Sequence, residues 1–208
     1  MLQKIIAVLL RWYYRFINWR AWKGHVQTGE YSDLHLASSG TGLALRLFAN
    51  MQAAERPLLV YLHGGGWVIG DLNTHTPICQ ILSQQSGCSV VSVDYRLAPE
   101  HPFPAAQDDC LAALAWITAH PTKLGPNNGK IVLVGDSAGA NLAACLCLEL
   151  PELVRDRLLG AALIYPVVDH YSAGYVSYQE MATGYALTRN LMHWFWDTYL
   201  AGTIADDP

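Results

Sequence analysis

Residues 33–37 alternate polar and apolar side chains, and residues 44–48 repeat the alternation after a turn at Ser39-Gly40-Thr41-Gly42. A period of two predicts a pair of antiparallel strands, each with one buried face. Four later runs are almost wholly apolar: 58–62, 90–93, 131–134 and 160–165. Runs of that length fit strands covered on both faces, as in a parallel sheet. Residues 77–86, 105–119 and 138–150 separate them and carry helix-forming sequence. Strand, helix, strand in this rhythm predicts an α/β fold: a mostly parallel central sheet flanked by helices. In such sheets the site lies at the carboxyl ends of the strands.

The first 22 residues pattern differently. Their uninterrupted apolar run, Ile5 to Leu10, ends at Arg11. That is far too short to span a bilayer, and no small-x-small cleavage site follows it. Arg11, Arg15 and Arg20, interleaved with Trp12, Tyr13, Phe16 and Trp19, predict an amphipathic helix. A helix packed on the body of the protein is the expected role, with weak membrane-surface contact through residues 1–22 as the alternative.

Composition narrows the class. A chain of 208 residues, 52% hydrophobic and 14% charged, supports one substantial core, so residues 1–208 are read as a single domain. The net charge is -4 and no basic stripe stands out, which argues against a nucleic-acid partner. Five cysteines, an odd number without framework spacing, read as reduced core thiols of a cytoplasmic protein. Cys145 and Cys147 have no second pair or histidine at zinc-site spacing, so no metal site is expected there.

The candidate chemistry follows two of the buried strands. After 131–134 comes Gly135-Asp136-Ser137-Ala138-Gly139. This G-x-S-x-G pattern lets a strand turn sharply into a helix, because Gly135 and Gly139 have no side chain to clash, and it raises the serine hydroxyl at the sheet edge. A helix N-terminus behind it favours developing negative charge. The plainer alternative is a serine that caps the helix. After 58–62 comes His63-Gly64-Gly65-Gly66. Consecutive glycines allow backbone N–H groups to approach a ligand closely, as acyl transfer requires for its oxyanion. A phosphate loop is disfavoured, because neither G-x-x-x-x-G-K-[ST] nor a nearby lysine is present.

Together these segments resemble the hormone-sensitive-lipase family of α/β-hydrolases, a family of carboxylesterases and lipases. LLVYLHGGGWVIGDLNTH, VVSVDYRLAPEHPFPAAQDD, IVLVGDSAGANLA and LIYPVVD carry the resemblance, in family order over residues 58–169. The resemblance implies an α/β-hydrolase fold with Ser137 as nucleophile and the N–H groups of Gly65, Gly66 and Ala138 as oxyanion hole. His63, Gly64, Gly135, Asp136 and Gly139 would support the motif. It implies small-molecule esters of short to medium acyl chain as substrates, no cofactor and no metal, and an occasional homodimer. Residues 1–22 and about 171–199 would form a helical cap over the acyl pocket. Tyr185, Trp194 and Phe195 are candidates for that pocket, with packing as the plainer role. Asp94-Tyr95-Arg96 and Pro99-Glu100-His101-Pro102 would brace the site.

One departure matters. The family's acid follows the next strand and its histidine follows the last one. The present sequence reaches Asp206-Asp207-Pro208 without either, so the last strands and final helix are expected beyond it. The run 160–165, written for an interior strand, would then lie at a sheet edge. His170 and His193, oriented by Asp169 or Asp197, are the conceivable substitutes. A non-catalytic small-molecule binder and a truncated pseudoenzyme on the same fold are the alternatives to an esterase.

Overall fold

The computed structural model describes residues 1–24, 30–36 and 42–201. The turn expected at 39–42 therefore lies outside the described residues save for Gly42, as do Ala37 and the terminal 202–208.

Among the described residues, six strands form one sheet: β1 (Ser32–His35), β2 (Ala44–Phe48), β3 (Leu58–Leu62), β4 (Val90–Asp94), β5 (Ile131–Asp136) and β6 (Leu158–Ile164), in the order β1-β2-β4-β3-β5-β6. The polar-apolar alternating pair β1 and β2 is antiparallel, and β2 runs antiparallel to β4. β4, β3, β5 and β6 are mutually parallel. The continuous apolar runs become double-sided strands. Leu58, Val60 and Leu62 of β3 enter one core with Val91, Val93, Ile131 and Leu133. Leu59 and Tyr61 point to the opposite face with Val90 and Val134.

The described residues also form seven α-helices: α1 (Leu2–Trp22), α2 (Leu72–Ser86), α3 (Ala105–Ala119), α4 (Ala138–Glu149), α5 (Glu152–Arg155), α6 (Ser177–Glu180) and α7 (Arg189–Leu200). α3 and α4 cover the first face through Ala106, Cys110, Ala113, Leu114, Leu142 and Leu146. α2 covers the second through Cys79, with Ile78 and Leu82 half-buried beside it. All five cysteines are free.

One helix starts earlier than expected, and β6 lies at the sheet edge as expected. α2 begins at Leu72, five residues before the proline taken as its start. The reason is a reciprocal cap: Asp71 Oδ1 accepts from Thr74 N at 2.7 Å while Asp71 N donates to Thr74 Oγ1 at 2.9 Å. Two orphan donors are satisfied, so the helix nucleates upstream and tolerates Pro77 inside it. β6 pairs with β5 and, among the described residues, with nothing on its other side. Leu159, Leu163 and Ile164 are exposed there despite an interior-like sequence.

Candidate active site

The elbow at the end of β5 is built by steric exclusion. Ser137 has φ 52° and ψ -118°, a left-handed-side conformation rare for a residue with a Cβ. A Cβ on Gly135 would lie 2.5 Å from the Gly139 carbonyl, and one on Gly139 would lie 2.0 Å from the carbonyl oxygen of Leu62. Only glycine at both positions lets the start of α4 press against the end of β3. Ser137 stands at the N-cap position of α4 but makes no side-chain capping bond, so the helix-cap alternative does not hold. Its backbone is pinned instead: Ser137 N donates to the Ile164 carbonyl at 2.9 Å, and Asn141 N donates back to the Ser137 carbonyl at 3.0 Å.

The glycine loop lies on the neighbouring strand end. Gly65 has φ 122° and Gly66 φ 57°. A Cβ on Gly65 would sit 2.2 Å from the Ile69 carbonyl oxygen, and one on Gly66 would sit 2.3 Å from the Phe195 ring. The loop is therefore clamped against α7, and Trp67 continues the clamp by stacking on Tyr199 at 4.4 Å. Phe195 is buried here as packing, while Tyr185 is exposed. Among the described residues, the N–H groups of Gly65, Gly66 and Ala138 donate to no protein acceptor. Gly65 and Gly66 are half-buried, and Ala138 opens α4, where the first N–H groups of a helix have no intrahelical acceptor.

Asp136 joins the two motifs. Its Oδ1 accepts from Gly64 N at 2.8 Å and from the Tyr61 hydroxyl at 2.7 Å. A Cβ on Gly64 would overlap the same carboxylate. Burial, then the charge of Asp136, raises the Tyr61 phenol far above its ordinary range, so it remains a donor. His63 is fully buried beneath the loop. Its Nδ1 donates to the Gly64 carbonyl at 2.8 Å, and its ring stacks on Tyr95 at 4.2 Å. Burial, then the neighbouring His75, pushes this imidazole down to about 4, so it is neutral near pH 7.

The flanking loop braces this assembly. Tyr95 donates its hydroxyl to the His63 carbonyl at 2.6 Å, and Ala98 N donates to the Trp67 carbonyl at 2.9 Å. Arg96 grips the buried Asp109 through Nε at 2.8 Å and Nη2 at 2.9 Å. From α1, Arg11 donates to the Val68 carbonyl at 2.7 Å and to the Ala98 carbonyl at 2.8 Å. The bracing by Tyr95 and Arg96 follows the resemblance, whereas the Arg11 anchor was missed in the sequence. The Asp71-Leu72-Asn73-Thr74 cap was detectable as a start signal, but nothing local marks Arg11 as a clasp.

Ser137 opens into a cavity of about 500 Å³ whose walls include Tyr165, Val167, Val168, Tyr175, Tyr178, Met181 and Met192. The wall after β6 is tied to the elbow by Asn141 Nδ2, which donates to the Val167 carbonyl at 2.7 Å. The lining draws on residues 165–192 and on Ser137, and includes none from α1.

No described histidine hydrogen-bonds Ser137. His63 and His75 are buried behind the loop. Asp169 accepts the backbone N–H of His170, and Asp197 accepts the Tyr171 hydroxyl, so neither orients an imidazole as the substitute-base reading required. His193 instead stacks on Tyr171, and His170 lies tilted against Tyr171 with its Nδ1 at 2.8 Å from the Ser172 hydroxyl. His25 lies outside the described residues.

A mostly parallel sheet carrying a serine elbow beside a glycine loop defines the α/β-hydrolase class. Residues 59–208 match the family described as alpha/beta hydrolase fold, and the chain belongs to that family, in its hormone-sensitive-lipase branch. The carboxylic ester hydrolase LipN of Mycobacterium tuberculosis is 36% identical over 85% of this chain and 48% of its own length. The ethyl acetate hydrolase of Pseudomonas putida is 39% identical over 81% of this chain and 54% of its own. The chain thus spans about half the length of these curated relatives. Among solved structures, the esterase of the archaeon Pyrobaculum calidifontis superposes with a TM-score of 0.84 at 36% identity, covering 93% of this chain and 63% of that one. The metagenomic carboxylesterase EstE1 superposes with 0.85 at 37% identity, covering 94% and 67%. No helix among the described residues is long and apolar enough to cross a membrane.

Proposed function

We propose that this protein hydrolyses carboxylic esters through an acyl-enzyme on Ser137. The observation that carries the reading is the elbow. It holds a serine at φ 52° with no capping bond, facing an apolar cavity beside three unoccupied N–H donors. Ser137 Oγ attacks the ester carbonyl carbon while a base takes its proton. The oxyanion is received by the N–H groups of Gly65, Gly66 and Ala138, each worth about 2.7–4 kcal/mol at such sites. Collapse expels the alcohol, protonated by the same base, and water then releases the acid from Ser137. The base and its orienting carboxylate come from outside the described residues.

The cavity volume of about 500 Å³ suits a short to medium acyl chain. Residues 165–192 serve as the wall and cap of that pocket. The family's esterases, an ethyl acetate hydrolase among them, support the substrate class. The mechanism calls on no cofactor, and the five free thiols suit the reducing cytoplasm.

The test is hydrolysis of p-nitrophenyl acetate, butyrate and octanoate by the native gene product and by Ser137→Ala. The variant is expected to lose roughly 10³-fold or more in kcat. Equal turnover by the two proteins would exclude this site. Absent turnover in the native protein, with an ester analogue still bound in the cavity, would favour the non-catalytic binder.

A further inference from the structure

Helix α1 is secured on one side and bare on the other. Inward, Ala7 is fully buried, and Leu10 and Tyr14 pack against the core. Arg11 forks onto Glu100 at 2.7 and 3.1 Å, and Arg15 pairs with Asp71 at 2.6 Å. These bonds fix the helix rotation. Outward, Leu2, Ile5, Leu9, Trp12, Phe16 and Trp19 follow a three-and-four spacing along the whole helix, and each is between 52% and 70% exposed. A 21-residue helix is about 31 Å long, so this is a continuous apolar strip along its whole outer side, of the kind that marks an interaction surface.

Charge says what covers it. Residues 1–24 hold five cations and not one acid, although the whole chain is -4; Arg11 and Arg15 are paired inward with Glu100 and Asp71, and Lys4 and Arg20 are exposed. Two of these cations sit over the aromatics of the strip itself: Arg20 lies 5.9 Å from the Phe16 ring centre and Lys23 4.7 Å from that of Trp19. A second copy of the strip would bring the same cations and no carboxylate to meet them. Anionic headgroups meet them directly, with Trp and Phe rings at the boundary depth such side chains prefer.

We propose that α1 docks this protein on an anionic lipid surface, with the Leu2–Trp19 strip inserted and Arg20 at the phosphates. The loops that Arg11 and Arg15 hold, at Val68, Asp71 and Ala98, follow β3 and β4, at the end of the sheet that also carries Ser137. The inference does not depend on hydrolysis.

The experiment is sedimentation of the full chain with phosphatidylcholine vesicles containing 30% phosphatidylglycerol, at about 0.15 M and about 1 M salt. The lipid partition coefficient is expected to fall about tenfold or more for Trp12→Ser/Phe16→Ser/Trp19→Ser, and severalfold in high salt for the native chain. Leu159→Ser, on the exposed β6 edge, is expected to leave it unchanged. Brominated lipid is expected to quench the tryptophan fluorescence of the unmodified protein. Three results overturn the proposal: equal binding by the triple variant, loss of binding in Leu159→Ser alone, or absence of both sedimentation and quenching. A native dimer that the triple variant converts to monomer, without vesicle binding, also overturns it.

Discussion

Asp136→Ala isolates the link between elbow and glycine loop. One carboxylate oxygen accepts from both Tyr61 Oη and Gly64 N, and both donors are buried. Removing it strands two donors, at about 1–3 kcal/mol each, so the expected loss is about 2–6 kcal/mol. Against a total of about 5–15 kcal/mol that is severe, and at about 2–4 °C per kcal/mol it lowers Tm by roughly 4–24 °C. Asp136→Asn retains an oxygen acceptor and should cost about 1 kcal/mol, because only the charge assistance is lost. Tyr61→Phe removes one donor together with its need for a partner. The double variant Asp136→Ala/Tyr61→Phe should therefore be less destabilised than the sum of the singles, by about 0.5–3 kcal/mol. Urea unfolding followed by tryptophan fluorescence, at unchanged m, measures all four proteins. Strict additivity, or a loss under about 0.5 kcal/mol for Asp136→Ala, would refute the shared-acceptor argument.

Stability should fall as pH drops from His63's ordinary 6.5 toward about 4, because the unfolded imidazole takes up a proton that the buried one refuses; the full effect is about 3 kcal/mol. His75, lowered chiefly by burial, adds to the same slope, whereas Asp33, Asp71 and Glu100 lose their contributions only as pH falls below their own ordinary values; urea midpoints at pH 7 and 5 for the native chain and His63→Phe check this, the variant showing the flatter dependence. Gly139→Ala puts a methyl 2.0 Å from the Leu62 carbonyl oxygen and should cost more than about 3 kcal/mol or abolish soluble expression, read by circular dichroism and yield. Arg96→Ala leaves the buried Asp109 carboxylate without its guanidinium; about 3 kcal/mol of stability should go, with the glycine loop loosened, seen as faster amide exchange at Ala98.

The strands of this fold were legible because burial on two faces demands an unbroken apolar run. Residues 58–62 became β3 without a shift, and 131–134 needed only the two residues of the elbow added. The start of α2 was misplaced because Pro77 was weighted above the Asp71–Thr74 cap, two short-range signals of which the capping bonds prevailed. In the site, Ser137 and the glycines were visible because both motifs impose backbone conformations that few residues tolerate. Their partners were not. Tyr61 stands 75 residues from Asp136, Arg11 57 from Val68, and Phe195 lies far along the chain from Gly66; each pairing exists only because the sheet order and α7 bring them together. The cavity wall at 165–192 carries no periodic signal at all.

By itself, then, the sequence determined the element types, the parallel core, the elbow and the glycine loop, since local sterics and hydrophobic period act over a few residues. The tertiary structure alone decided the shared acceptor at Asp136, the neutral His63, the arginine clasps and the bare face of α1. Burial and hydrogen-bond partners are properties of the packed chain, and no window of sequence contains them.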